Sequence, residues 1–106
     1  MSTFDLYGIK EVDIDAAKTL IEQFFDGRFV AHDSSYIGEY WLLSYPSGGK
    51  VSLQPNLTPV EEDDWAEEDY KEYPNLLYIS NLDAQDEILK QLQVVDGVVH
   101  LRREVR

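Results

Sequence analysis

Phe4 and Leu6 alternate with Asp5 and Tyr7 over Phe4 to Ile9, a period of two that predicts a short strand ending near Gly8. The period then lengthens. Ile14, Ala17, Leu20, Ile21 and Phe24 recur at helical spacing behind Asp13, a good N-cap, and Asp26-Gly27 supplies a stop. The stripe is apolar on one side only, so this helix should lie on a sheet and expose Lys18 and Glu22. From Arg28 the period returns to two. Arg28 to Ala31 predicts a strand, His32-Asp33-Ser34-Ser35 a turn, and Tyr36 to Tyr45 a longer strand. Both faces of that longer strand are partly apolar, which suits a central position. Pro46-Ser47-Gly48-Gly49 reads as a hairpin turn, and Lys50 to Gln54 as a strand with Val51 and Leu53 inward.

After Pro55 the hydrophobic pattern fades. Thr58-Pro59-Val60-Glu61 has the form of a capping box with proline at the first helical position, so one or two helical turns can begin there; a long loop fits equally well. In the helical case Ala66, Tyr70 and Tyr73 share a face. Beyond Pro74, Leu76 to Ser80 predicts a strongly apolar strand. Asp83 then caps a second amphipathic helix marked by Ala84, Ile88, Leu89 and Leu92, and Asp96-Gly97 turns the chain into a last strand from Val98 to Arg103. The order β-α-β-β-β-(acidic segment)-β-α-β predicts a single α+β domain over 1–106, an antiparallel-rich sheet with two helices on one face and an acidic insertion at 56–75. A ferredoxin-like core with an added hairpin strand is the arrangement this order suggests first.

Composition narrows the function. With 106 residues there is room for one core, and without cysteine there are neither disulfides nor thiolate metal sites. The start, Met-Ser-Thr-Phe-Asp-Leu, has no signal-peptide pattern, and no apolar run approaches a membrane span, so a soluble cytoplasmic protein is expected. A net charge of −12 repels phosphates and disfavours nucleic acid as a partner. Without a secretory signal, the sequon Asn56-Leu57-Thr58 carries no weight.

That charge is concentrated. Glu61, Glu62, Asp63, Asp64, Glu67, Glu68, Asp69 and Glu72 stand against Lys71 alone, so twelve residues carry −7 of the total of −12. Neighbouring carboxylates repel by about 1 kcal/mol per pair even in bulk water, so such a run opposes folding unless solvent, cations or a partner offset it. One reading is a solvated loop. The other is a docking surface for a basic partner, favoured by Trp65, Tyr70 and Tyr73 among the acids, since disordered acidic tails are poor in aromatics. Those three are candidate anchors in a partner; equally, Tyr73 and Trp65 can pin the segment to its own sheet.

Nothing assembles an active site. His32-Asp33 suits a turn and His100 a strand, and neither has metal-ligand spacing. The acids at 61 to 64 lack the spacing and central glycine of a calcium loop. Gly48-Gly49 is too short to cradle phosphate, and no serine lies in a nucleophile elbow. No cofactor or metal is expected, nor catalysis; a deep pocket converging on His32, Asp33 and Glu39 would revive the enzymatic reading.

Tyr36-Ile37-Gly38-Glu39-Tyr40-Trp41, Val51-Ser52-Leu53-Gln54-Pro55-Asn56, the acid-aromatic segment and Asn75-Leu76-Leu77-Tyr78-Ile79 together resemble the layout of small acidic immunity proteins of bacterial polymorphic and contact-dependent toxin systems. The likeness lies in size, acidity, α+β order and the succession of strand and acidic segment. It implies a cytosolic antidote that binds a cognate basic toxin domain, often a nuclease, and blocks its substrate site. The alternative is a small interaction module or oligomer subunit without a toxin partner, with Trp41 or Tyr40 at a symmetric contact.

Overall fold

The computed structural model describes residues 2–35, 38–57, 65–83 and 85–106. Among the described residues six strands form one sheet: β1 (Thr3–Ile9), β2 (Val30–Ser34), β3 (Gly38–Ser44), β4 (Lys50–Pro55), β5 (Asn75–Ser80) and β6 (Val98–Val105). Two helices, α1 (Ile14–Ile21) and α2 (Gln85–Leu92), connect β1 to β2 and β5 to β6. The spatial order is β2-β3-β4-β5-β1-β6, with every neighbouring pair antiparallel. The fold is α+β. Because β1 lies between β5 and β6, the unit β5-α2-β6 is the split β-α-β of a ferredoxin-like core. On the other side, the meander β2-β3-β4-β5 extends the sheet.

Local chemistry explains where the elements begin. The side chain of Asp13 accepts from the backbone N–H of Asp15 at 3.1 Å, capping α1 as the sequence predicts. A 3-10 turn at Glu22–Phe24 follows, and Gly27, at φ +109°, turns the chain toward β2. Ala17 and Ile21 of α1 and Leu89 and Leu92 of α2 meet Tyr7, Ile9, Leu43, Val51, Leu53, Leu77, Ile79 and Val98 in one core. Both helices therefore cover the same face. Alternation sends Leu6 and Leu76 to the opposite face, yet both are buried, at 2% and 0% exposure.

Two expectations need correcting. His32, Asp33 and Ser34 are not a turn but most of β2, paired with Tyr40, Glu39 and Gly38 of β3. Their turn-forming side chains lose to the ladder that β3 offers, and β2 begins at Val30, two residues later than the pattern indicates. The predicted capping box at 58–61 lies outside the described residues, as does Ala84. Among the described residues of the acidic segment the helical content is a single 3-10 turn, Glu68–Tyr70.

Candidate functional site

Asn56 organises the acidic segment. It follows the last residue of β4, is fully buried, and its backbone N–H donates to the carbonyl of Pro74 at 2.9 Å. Its Nδ2 donates to the carbonyls of Tyr70 at 2.9 Å and Tyr73 at 3.0 Å, with that of Glu67 at 3.5 Å, and its Oδ1 accepts from the Glu67 N–H at 2.9 Å. One amide thus satisfies backbone groups at three places along the returning chain, which have no ladder of their own. Ala66 N–H donates to the Asn56 carbonyl at 2.7 Å, and Trp65, half-buried, forms a β-bridge with Leu57.

Three side chains then hold the segment to the sheet face opposite the helices. The ring of Tyr73 lies against Gly8, which has no Cβ to obstruct it. The hydroxyl of Tyr70 donates to the carbonyl of Leu101 at 3.4 Å. Glu67 turns inward: its side chain is 17% exposed, accepts from the Tyr78 hydroxyl at 3.0 Å, and pairs with the Arg102 guanidinium at 3.0 and 3.3 Å. Burial and the adjacent Glu67 carboxylate push the Tyr78 phenol well above its usual range. Arg102, with a bidentate carboxylate partner, is held more firmly protonated than an isolated arginine.

The sequence-predicted site residues therefore divide into three groups. Glu61, Glu62, Asp63 and Asp64 lie outside the described residues. Trp65, Glu67, Tyr70 and Tyr73 are partly buried; Glu67, Tyr70 and Tyr73 make contacts that fix the segment to its own sheet. Glu68, Asp69 and Glu72 project into solvent beside Lys71. The pinning alternative thus accounts for Tyr73; Tyr70, expected only as an anchor for a partner, is also tied to the sheet, and Glu67 carries an internal ion pair. Asn56, Gly8, Tyr78 and Arg102 escaped the sequence reading, because each matters only once the chain has returned across the sheet.

A second polar cluster centres on Asp5. Asp5, with no exposed side-chain surface, accepts from Arg103 Nε and Nη2, both at 3.0 Å, and from Gln85 Nε2 at 2.7 Å, and lies 2.9 Å from His100 Nε2. Burial works against its ionisation, but bonds from Arg103, Gln85 and His100 outweigh this and hold the carboxyl below its usual value. Trp41 lies on the helix side, its Nε1 donating to Asp15 Oδ1 at 3.3 Å with Lys18 Nζ 4.3 Å from the ring centroid. A cavity of about 350 Å³ includes His32, Asp33 and Glu39 in its lining, but the three do not converge. Strand alternation turns His32 to the opposite face from Asp33 and Glu39, where its ring stacks on Tyr40 with centroids 5.4 Å apart. No group of three or more His, Cys, Asp or Glu placed to hold a metal occurs among the described residues. Nor, among them, is any helix long and apolar enough to cross a membrane. No protein-family model matches the chain and no curated protein matches it in sequence, so its function is read from this geometry.

Proposed function

We propose that the chain is a non-catalytic inhibitor of the immunity type, which binds a basic toxin domain through the outward carboxylates of its acidic segment. The observation that carries this reading is the division of labour within residues 65–73. Asn56, Tyr70, Tyr73 and the Glu67–Arg102 pair hold the backbone in one pose while Glu68, Asp69 and Glu72 face solvent. A partner docking there does not have to order this stretch, and that ordering is a large part of what association costs. A nuclease must present a positive cleft to phosphates, and carboxylates carried on an anchored backbone have the complementary potential to enter it. Competition with nucleic acid rewards the fast association that such charge produces.

The test is a pull-down from the host lysate with the intact chain and with a variant in which Glu61, Glu62, Asp63, Asp64, Glu68, Asp69 and Glu72 become amides while Glu67 is kept. The expected result is a basic protein retained by the intact chain, lost by the variant, and inhibited in stoichiometric mixture. Equal retention by both forms, or no basic protein with either, would reject the reading.

A further inference from the structure

The two edges of the sheet are finished differently. At β6 the pairing with β1 shifts between Leu6 and Tyr7, so that His100 and Arg102 have partners and Leu101 bulges out of the ladder. The Tyr70 hydroxyl then takes up the Leu101 carbonyl, and Arg102 and Arg103 add charge to the same edge. These are the devices by which proteins blunt an edge strand. At the far edge, β2 pairs with β3 in regular register from Val30 to Ser34, without bulge, proline, lysine or arginine, and with Asp33 as its one carboxylate. No described strand lies on its other side, Val30 to Asp33 are exposed, and Val30 is 54% exposed.

Beside this open edge, on the helix side, three carboxylates, Asp15, Asp33 and Glu39, line a cavity near one cation, Lys18, whose Nζ lies 4.3 Å from the Trp41 ring centroid. Asp33 stands directly across the ladder from Glu39, both exposed, a like-charge pair that costs stability. Among the described residues neither carboxylate is in an ion pair, and Asp15 comes to the same cavity from the start of α1. Ile14, Ala31 and Trp41 give that cavity of about 350 Å³ an apolar wall, and His32 and Tyr40 line it around the β2 edge. An apolar wall with a carboxylate rim suits a long aliphatic stem ending in a cation, the chemistry of Lys or Arg.

We propose that the β2 edge and this cavity form a second docking site, which takes an extended segment of a protein partner carrying Lys or Arg at alternate positions. A strand added to β2 lies about 4.8 Å away and sends every second side chain to the helix side, beside Ala31 and Asp33. Cations there meet Asp33, Glu39 and Asp15, and the residues between face Val30 and His32. A second copy of the chain is the poorer occupant, because its own β2 would bring Asp33 and Glu39 against the same carboxylates. The site lies at the opposite edge from the contacts of residues 65–73 and does not depend on their role.

The test is titration of the isotopically labelled full chain with an end-capped octapeptide of alternating Lys and Thr, followed by NMR and amide exchange. The expected result is slower exchange within Val30 to Asp33 and shifts at Ile14, Asp15 and Trp41. Asp33→Asn with Glu39→Gln should weaken the peptide about tenfold, since exposed ion pairs are individually modest. Neutralising Glu68, Asp69 and Glu72 should leave it unchanged. Shifts confined to residues 65–73, equal binding of an alternating Glu and Thr peptide, or β2 protection that appears without peptide as the protein is concentrated would each overturn the proposal.

Discussion

The ring of Tyr73 occupies the place where a side chain at residue 8 would stand: a Cβ added to Gly8 would fall 2.6 Å from the ring's Cδ1. Gly8 does not have a positive φ, so space and not backbone freedom requires glycine here. Gly8→Ala should therefore push Tyr73 off the sheet, with an overpacking cost of about 1–3 kcal/mol. Urea unfolding measures the loss. Faster amide exchange at Tyr73, whose N–H donates to the Tyr70 carbonyl at 3.0 Å, would place it in the segment.

Asn56→Asp preserves shape while removing the donors that face the Tyr70 and Tyr73 carbonyls. A buried carboxylate among carbonyl oxygens is destabilised in its charged form, so its pKa should rise. The variant should lose about 2–4 kcal/mol at neutral pH and recover part of it on acidification as the new carboxyl takes a proton. Chemical denaturation at pH 7 and pH 4.5 checks both the size and the sign.

What the sequence revealed and what it concealed follow from the range of each interaction. Asp13 capping α1, the alternation in Phe4 to Ile9 and the apolar run from Leu76 to Ser80 are local patterns, and each marks its element within a residue or so. His32-Asp33-Ser34 misled because turn chemistry is also local, whereas the β3 partners that make it a strand are specified elsewhere. The acidic segment stood out by charge, yet the inward turn of Glu67 depends on Arg102, 35 positions away. Asn56 bore no signature beyond following β4; its four side-chain contacts appear only when the chain folds back 11 to 17 residues later.

Tyr7→Phe should leave the fold intact and raise its stability by about 1 kcal/mol, because a buried hydroxyl without a partner forfeits its hydration. Tyr7 is fully buried, and its hydroxyl has no hydrogen-bond partner among the described residues. Thermal unfolding at pH 7 decides the sign. A lower melting temperature for the phenylalanine variant would show that the hydroxyl is satisfied.

Asp5 should govern the acid limb of the stability curve. Its folded pKa lies below the ordinary 3.8, so its contribution is fully present above that value and disappears as the pH falls through the folded pKa. Unfolding experiments between pH 5 and pH 2 should therefore show stability falling with acid. Asp5→Asn should flatten that fall and cost roughly 2 kcal/mol or more at pH 6, leaving Arg103 and His100 without their carboxylate. A variant with the wild-type slope would assign the acid limb to other groups.

Steering should reside in the carboxylates that face solvent and not in Glu67. Glu68→Gln, Asp69→Asn and Glu72→Gln remove three exposed charges and no described contact, so stability should move by less than about 0.5 kcal/mol per site. If the proposed partner is drawn in by charge, its association rate should fall about tenfold at low salt while its dissociation rate stays near wild type, and the difference should shrink as salt is added. Glu67→Gln should behave in the opposite way. It breaks the Arg102 pair and weakens the acceptor for Tyr78, so it should loosen the segment and lower the Tyr78 pKa. Its kinetic effect should then appear mainly in dissociation. Stopped-flow mixing at two ionic strengths separates the two cases, and an association rate unchanged in the triple variant would remove the steering role.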